Sequence, residues 1–260
     1  MLKNMDNSLD KNTPQGTRRI KQEDIESFVE NWLHSKMVRS YNAWKVVYEL
    51  LWWCVDIDGQ TVPHIVEINM LKKSKSWLDR ALKAKRYLSK EMGVQYDQLC
   101  DRLDMLMKGL GIMGRQRHNY LGRGFSATIK SLLLFISNLN AEKEASYALI
   151  PGLKDIGRGK VDISIPPPPD TRIIISTKWS LRHDRLKDLL NEASECKRRR
   201  ADIKFLVVTN EFIPSRIKHL AEHPNIDGVY HVHRMLIEEV ELTPPSQLRD
   251  FNELFDDVAY

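Results

Sequence analysis

Four consecutive prolines, residues 166–169, separate two short β-branched runs and constrain the fold more than any other feature of the sequence. The first run is KVDISI, residues 160–165, and the second is TRIIIST, residues 171–177. Proline has no backbone N–H and cannot donate to a ladder of strand hydrogen bonds, so the prolines belong in a connection rather than in a strand. The pattern therefore predicts two short strands joined by a proline-rich turn.

The sequence divides into three regions of different composition and hydrophobic periodicity. Residues 1–20 are polar and predict a flexible arm. Residues 21–113 repeat apolar residues at helical spacing, as in DIESFVENWLHSKM, and predict a helical N-terminal region. Residues 114–260 alternate strand-like and helical stretches. The expected architecture is α/β, more strictly α+β: a small mixed central sheet flanked by helices, with a helical N-terminal half.

Two local signals mark the limits of the alternating region. The stretch GIMGRQRHNYLGRG, residues 111–124, is rich in Gly and Arg and predicts a loop before a central apolar helix. The stretch RMLIEEVE, residues 234–241, predicts the final helix of the chain.

The composition is typical of a globular protein and argues against disorder or a membrane span. The chain of 260 residues is 42% hydrophobic and 29% charged. Its longest apolar patch, VVYELLWWCV, is too short and too interrupted to cross a bilayer, and the polar N-terminus lacks the apolar core of a signal peptide. The three cysteines lack metal-binding spacing and predict reduced thiols in a cytoplasmic protein. A net charge of +5 permits a polyanionic partner.

Three polar residues interrupt the two apolar runs at positions that strand geometry brings together. Asp162 lies in the first run, and Ser176 and Lys178 lie at the end of the second. Side chains two residues apart in a strand share a face, and neighbouring strands lie ~5 Å apart. If the two strands pair in a favourable register, Asp162 and Lys178 can share one small site. A carboxylate oxygen suits Mg²⁺, and a lysine beside the ion can orient or deprotonate water.

This pair of strands resembles the active site of the PD-(D/E)xK nuclease superfamily, in which an acid starts one strand and a (D/E/S)-x-Lys lies on the next. Four charged residues then follow Lys178 at 4, 6, 7 and 14 positions: Arg182, Asp184, Arg185 and Glu192. Together these spacings resemble the CCGG-type group of type II restriction endonucleases. In that group the second catalytic acid has moved onto the helix after the lysine strand.

The resemblance implies a role for each residue of the site. Asp162 and Glu192 would hold Mg²⁺, and Lys178 would position the attacking water. Ser176 would fill the place before the lysine that is usually acidic. Residues 114–260 would form the restriction-endonuclease-like catalytic core.

Other acidic positions leave alternatives for the metal ligands. Glu195, one turn after Glu192, competes with it, although Glu192 has the better spacing. Asp188 is expected to face solvent. Many members of the superfamily carry an acid on the first core helix, where this chain has Ser126, which argues against a second metal site. Asp155, in a loop, is an outside candidate for that place.

Arg182, Asp184 and Arg185 form a charged cluster at the expected start of a helix. Arginine can donate to O6 and N7 of guanine and aspartate can accept from cytosine N4, and each such contact discriminates by ~1–3 kcal/mol. Two arginines flanking an acid therefore suit a G/C-rich half-site. The alternative is a solvated helix start with ion pairs between neighbouring turns.

Further basic residues are candidates for contacts with phosphate. Arg115 and Arg123 lie in the stretch 111–124, where glycines allow the backbone to approach a phosphate closely. An ordinary surface loop is the alternative. The stretch CKRRR, residues 196–200, could also contact phosphates, but its cations complement the C-terminal dipole of a helix, which is the preferred interpretation.

The resulting expectation is a type II restriction endonuclease that cleaves double-stranded DNA by Mg²⁺-dependent hydrolysis. Its palindromic site would contain CCGG or a related CC/GG core. The resemblance implies a homodimer or homotetramer, since a two-fold symmetric site needs two copies of a reader, and a companion DNA methyltransferase. The alternatives are a structure-specific repair nuclease or junction resolvase with the same site, and a non-catalytic DNA-binding protein.

Overall fold

The computed structural model describes residues 116–259, except 155, 157, 158, 180, 182, 212, 240 and 241, together with residues 83, 86, 87, 90 and 91. Those last five residues are helical and are the described part of the predicted regions 1–20 and 21–113. Tyr87 packs against the core, and its ring centroid lies 5.4 Å from that of His233. At this point the N-terminal region is joined to the following fold by side-chain packing.

A mixed sheet lies at the centre of the described residues. Its strands are β1 (Glu142–Lys143), β2 (Ile163–Ile165), β3 (Ile173–Lys178), β4 (Lys204–Thr209), β5 (Gly228–His231) and β6 (Leu248–Asp250). They are arranged in the order of the chain, from β1 at one edge to β6 at the other. β1, β2 and β3 pair antiparallel, whereas β3, β4, β5 and β6 pair parallel. The predicted mixed sheet with flanking helices is confirmed.

The proline block joins the two predicted strands as a connection. β2 and β3 pair antiparallel, with Ile163 opposite Ile175 and Ile165 opposite Ile173. The connection is closed by a hydrogen bond of 3.1 Å from the Thr171 hydroxyl to the carbonyl oxygen of Pro166. Since proline cannot donate to a ladder, the chain leaves the sheet where the prolines begin.

Helices cover both faces of this sheet. They are α1 (Gln116–Ser137), α2 (His183–Arg199), α3 (Pro214–Ala221), α4 (Arg234–Glu239) and α5 (Phe251–Val258), and a 3₁₀ turn spans Tyr147–Leu149. The apolar runs of β3 and β4 are almost completely buried, as expected of strands covered on both sides. No helix in the described part of the chain is both long enough and apolar enough to cross a bilayer.

Two expectations about the limits of the fold are wrong. The stretch 111–124 is not all loop, because α1 begins at Gln116 and continues through it. A glycine inside a helix costs only ~1 kcal/mol relative to alanine, which the packing of a long helix can offset. Helix α4 is also not the last element, since β6 and α5 follow it. β6 has only three residues, too few to show a strand period in the sequence.

Candidate active site

Asp162 is the centre of a compact group of polar side chains at the end of the hairpin. Its Oδ2 atom accepts three hydrogen bonds: from Lys178 Nζ at 2.5 Å, from the Thr177 backbone N–H at 2.8 Å and from Ser176 Oγ at 3.2 Å. All three donors bond Oδ2, and Oδ1 accepts no hydrogen bond from the described residues. One oxygen therefore fixes the carboxylate while the other remains available as a ligand.

The strand register explains why these residues meet. Ile163 pairs with Ile175, so the next position along each strand brings Asp162 opposite Ser176. Ser176 and Lys178 then share a face because strand side chains alternate. The Asp162 and Lys178 side chains are about one third exposed, at 30% and 27%. The ion pair is thus accessible from outside and partly shielded from solvent.

The opposite face of β3 is closed by α1. Ser126 on that helix lies 2.6 Å from Thr177 Oγ1, hydroxyl to hydroxyl, and both residues are buried. Ser126 therefore packs away from Lys178 and Asp162 and adds no acid to their side of the sheet. Asp155, the other candidate for that place, lies outside the described residues.

Glu192 approaches the same group from α2. Burial raises the pKa of its carboxyl group, a hydrogen bond from Tyr147 and the positive charge of Lys178 lower it, and the charge of Asp162 raises it again. Glu192 is also bonded by Tyr147, which lies on a turn paired with residues 160–162, and this places its carboxylate beside the group around Asp162. The structure therefore brings the four predicted catalytic residues, Asp162, Ser176, Lys178 and Glu192, together on one side of the sheet.

Tyr147 is a residue of this site that sequence reasoning missed. Its hydroxyl donates a 2.5 Å hydrogen bond to Glu192 Oε1, and its side chain is buried. Burial and the neighbouring Glu192 carboxylate raise the pKa of the Tyr147 hydroxyl, so it remains a donor. Tyr147 lies on a short turn at no regular distance from Lys178, and no spacing signal in the sequence could have identified it.

The turn that carries Tyr147 is held beside Asp162 by backbone pairing. Ser146 forms an antiparallel bridge with Lys160, and the Val161 N–H donates to the Ala145 carbonyl oxygen at 2.9 Å. The Asp162 carbonyl oxygen also accepts from the Glu144 N–H at 3.1 Å. The segment 144–147 therefore touches both predicted metal ligands, one through its backbone and the other through a phenol.

The competing acids on α2 are engaged elsewhere or exposed. Glu195 forms ion pairs of 2.6 Å with both Arg198 and Arg199, and these partners lower the pKa of its carboxyl group to about 2. Asp188 faces solvent, as expected. Glu192 is thus the acid of this helix that lies toward Lys178.

The basic stretch 196–200 forms ion pairs within the protein. Lys197 contacts Asp227 at 2.7 Å, and Arg200 contacts Asp202 at 2.6 Å. These residues lie in and just beyond the last turn of α2, where cations complement the helix dipole. This arrangement agrees with the structural interpretation rather than with a phosphate-binding patch.

The predicted base-reading cluster lies at the opposite end of the same helix. Asp184 and Arg185 are in the first turn of α2, and both are exposed. Arg182 and Arg115 lie outside the described residues, and Arg123 lies in α1 with its side chain outside the described part. Glu192 follows Asp184 by eight residues, or ~12 Å along a helix.

The donor set of the site fits a hard divalent cation. Asp162 and Glu192 each use one carboxylate oxygen in hydrogen bonds from the described residues, which leaves one oxygen of each for an ion. Within the described residues no group of three or more His, Cys, Asp or Glu side chains could hold a metal. Mg²⁺ is commonly bound by one or two carboxylates with water and phosphate oxygens completing its shell, so two acids are sufficient.

No family model matches the sequence, and no curated protein matches it. Similar solved structures include a complex of the restriction endonuclease PspGI with substrate DNA, with a TM-score of 0.46 and 19% identity over 96% of each chain. Two metal-depleted Ecl18kI complexes, one with uncleaved, modified DNA and one with uncleaved DNA, each have a TM-score of 0.39. They share 14% and 16% identity over 92% and 91% of this chain and 83% of theirs. Likenesses of this size assign no activity, so the chemistry is judged from the side chains of the site.

We predict that Glu192→Gln stabilises the metal-free protein at about pH 8 by about 0.5–2 kcal/mol, the usual range for stabilising substitutions. Burial disfavours the ionised carboxylate, whereas glutamine is neutral and keeps an oxygen for the Tyr147 hydroxyl. The folded-state pKa of Glu192 is raised, so protonation favours the wild-type fold, and this contribution is lost as pH rises through that pKa. The advantage of glutamine should therefore shrink towards about pH 5.

Urea unfolding in EDTA at both pH values measures this difference. Glu195→Gln is the matched control on the same helix and should not stabilise the protein, because its carboxylate is held ionised by two arginines. Equal stabilities of wild type and Glu192→Gln at the higher pH would contradict the prediction.

Tyr147→Phe should weaken binding of Mg²⁺ or Ca²⁺ by about tenfold, since a hydrogen bond to a carboxylate contributes ~1.5–3 kcal/mol. The ring still fills its buried position, but the Glu192 carboxylate loses the donor that orients it. Calorimetric titration of the metal-free protein measures the affinity. Tyr230→Phe provides the control, because Tyr230 is also buried and bonds a carboxylate, that of Asp257, in a different part of the fold. A loss of equal size in both variants would refute a specific role for Tyr147.

Proposed function

We propose that this protein is a type II restriction endonuclease that hydrolyses phosphodiester bonds of double-stranded DNA with Mg²⁺. The observation that carries the proposal is the Lys178 amine on the Asp162 carboxylate, with the half-buried Glu192 carboxylate held by Tyr147 from a turn that is paired with residues 160–162. Two acids that can hold a metal ion, with an amine beside them, suit metal-assisted hydrolysis of a phosphodiester. The proposal includes a cytoplasmic location.

Each side chain of the site has a part in this chemistry. Asp162 and Glu192 would hold Mg²⁺, which when bound would stabilise charge on the phosphate and acidify a water. Lys178 carries three N–H donors and uses one on Asp162, so the others can orient the attacking water or bind a phosphate oxygen. Ser176 donates to Asp162 and helps to keep its second oxygen directed away from the strand. Tyr147 does the same for Glu192.

The first turn of α2 supports sequence recognition. Asp184 and Arg185 are exposed there, at the end of the helix where side chains can enter the major groove. With Arg182 they would read guanine and cytosine in a site containing CCGG or a related CC/GG core. A palindrome of this kind requires two copies of the reader, so the active form would be a homodimer or homotetramer. A companion DNA methyltransferase would protect the host sites.

Digestion of a plasmid of known sequence tests the proposal, and Lys178→Ala makes it specific. We expect wild-type protein with Mg²⁺ to give discrete fragments whose ends map to one palindromic sequence, and no fragments in EDTA. Lys178→Ala should lower the rate by at least about a hundredfold, the size of effect typical of a positioned proton-transfer group, while DNA binding persists.

Lys204→Ala is the control for this experiment, because Lys204 is exposed at the opposite end of the sheet and should retain wild-type cleavage. Cleavage at junctions or damaged sites without sequence preference would favour a repair nuclease or resolvase. Sequence-specific binding without any cleavage by the wild type would favour a non-catalytic DNA-binding protein.

Arg185→Ala should reduce the preference for the cognate site by about 1–3 kcal/mol, the value of one bidentate base contact. Competition binding in Ca²⁺ between a cognate duplex and one with a changed core measures this preference. Lys187→Ala removes another exposed cation of the same helix, one that points away from Arg185, and should change the affinity for both duplexes equally. An unchanged preference in Arg185→Ala would exclude Arg185 from base reading.

A further inference from the structure

The backbone of Leu181 is held at both of its polar groups by side chains from elsewhere in the fold. Its N–H donates to Glu211 Oε2 at 2.7 Å, and its carbonyl oxygen accepts from Arg216 Nη1. Arg216 Nη1 also lies 3.4 Å from Glu211 Oε2, so the two side chains form an ion pair around one peptide segment. Leu181 is itself buried and lies two residues before α2 begins at His183.

Glu211 is an unusual residue to find in this position. Its side chain is 0% exposed. Glu211 lies two residues after the end of β4 and takes no part in the group around Asp162. A carboxylate buried in this way is costly unless hydrogen bonds and an opposite charge compensate it. Here the Ile213 N–H donates to Oε1 at 2.9 Å, in addition to the contacts with Leu181 and Arg216. The carboxylate thus links the connection after β3 to the connection after β4.

The base of this link is fixed to the sheet. The Glu211 N–H donates to Thr209 Oγ1 at 3.1 Å, and the Glu211 carbonyl oxygen lies 3.0 Å from His231 Nε2. His231 Nδ1 accepts from the His233 N–H, so Nε2 carries the hydrogen and donates to Glu211. Glu211 is therefore anchored to the ends of β4 and β5, which are parallel neighbours in the sheet.

A second contact ties the same segment to the chain after β4 two residues earlier, at Trp179. The carbonyl oxygen of Trp179 accepts from the Asn210 N–H at 3.2 Å. The connection between β3 and α2 is thus attached to residues 209–216 at two successive points. These attachments hold Trp179 and Leu181, which lie shortly before α2 begins at His183.

We propose that Glu211 and Arg216 are positioning residues for base recognition, because they hold the Leu181 peptide two residues before the helix whose first turn carries Asp184 and Arg185. This inference rests on the proposed function. Neither residue needs to touch DNA: the clamp they form around Leu181 sets the place of the first turn of α2 relative to the sheet. Glu192, nine residues after His183 and held by Tyr147, has its own anchor. Loss of the clamp should therefore affect sequence discrimination more than the chemical step.

Arg216→Ala tests the inference with two measurements. In competition binding with Ca²⁺, the affinity ratio between cognate and altered-core duplexes should fall about tenfold, the size of one lost base contact. The single-turnover cleavage rate at saturating cognate DNA should change less than about threefold, which corresponds to ~0.6 kcal/mol. Lys178 and Glu192 keep their own contacts in this variant. Without DNA, amide hydrogen exchange in residues 179–185 should be at least about tenfold faster than in wild type.

Two further variants separate this effect from general loss of structure. Arg216→Lys keeps a cation that can donate to the Leu181 carbonyl oxygen and should restore much of the discrimination. Lys218 lies on the same helix and forms an exposed ion pair with Glu222. Lys218→Ala should leave both the site discrimination and the amide hydrogen exchange unchanged. If Arg216→Ala does not fold, Glu211→Gln takes its place in the test. Discrimination should then fall in Glu211→Gln and be largely kept in Arg216→Lys.

The possible outcomes distinguish the clamp from the proposed function. Wild type that shows no site preference overturns the proposed function and this inference with it. Wild type that prefers one site, with Arg216→Ala preferring it equally, overturns the inference alone. Equal loss of discrimination and of single-turnover rate also overturns it, because a structural role would reduce both.

Discussion

The contact between Lys178 and Asp162 is the interaction on which the rest of the site depends. It exists because β2 and β3 pair antiparallel in one particular register, with Ile163 opposite Ile175. A shift of that register by one residue would turn Asp162 to the other face of the sheet. The proline connection protects the register, because its residues cannot donate to the ladder of hydrogen bonds. The strands therefore cannot slip by pairing further into the connection. The chemistry of the site is thus a consequence of how two short strands are joined.

The two acids of the site, Asp162 and Glu192, differ in how their charge is compensated. Asp162 is partly exposed and receives three donors on one oxygen, so its charge is compensated within the protein. Glu192 receives the phenol of Tyr147, and its burial raises the pKa of its carboxyl group above the usual value. A divalent cation would relieve that cost by supplying the missing positive charge.

The parts of this arrangement that depend on a short repeat could be predicted from the sequence. The period of two in strands placed Ser176 and Lys178 on one face, whereas Asp162 joins them only through the register of β2 and β3, which the structure supplies. The contribution of Tyr147 could not be predicted, because a turn joined to the sheet by one isolated bridge has no periodic signature. The helix through 116–124 and the strand β6 were missed for related reasons: local glycines or a very short length concealed elements that tertiary packing supports.

Helix α2 would connect recognition to chemistry, and its start and its middle are held by different parts of the fold. Its start is tied through Leu181 to the ends of β4 and β5, and its middle is tied through Glu192 to the turn that carries Tyr147. A helix keeps a fixed rise of ~1.5 Å per residue, so the distance between the reading residues and the metal ligand cannot drift with loop motion. In the proposed enzyme, the position of the cut relative to the bases that are read is therefore set by helix geometry. The two anchors determine only how that rigid element is placed over the sheet.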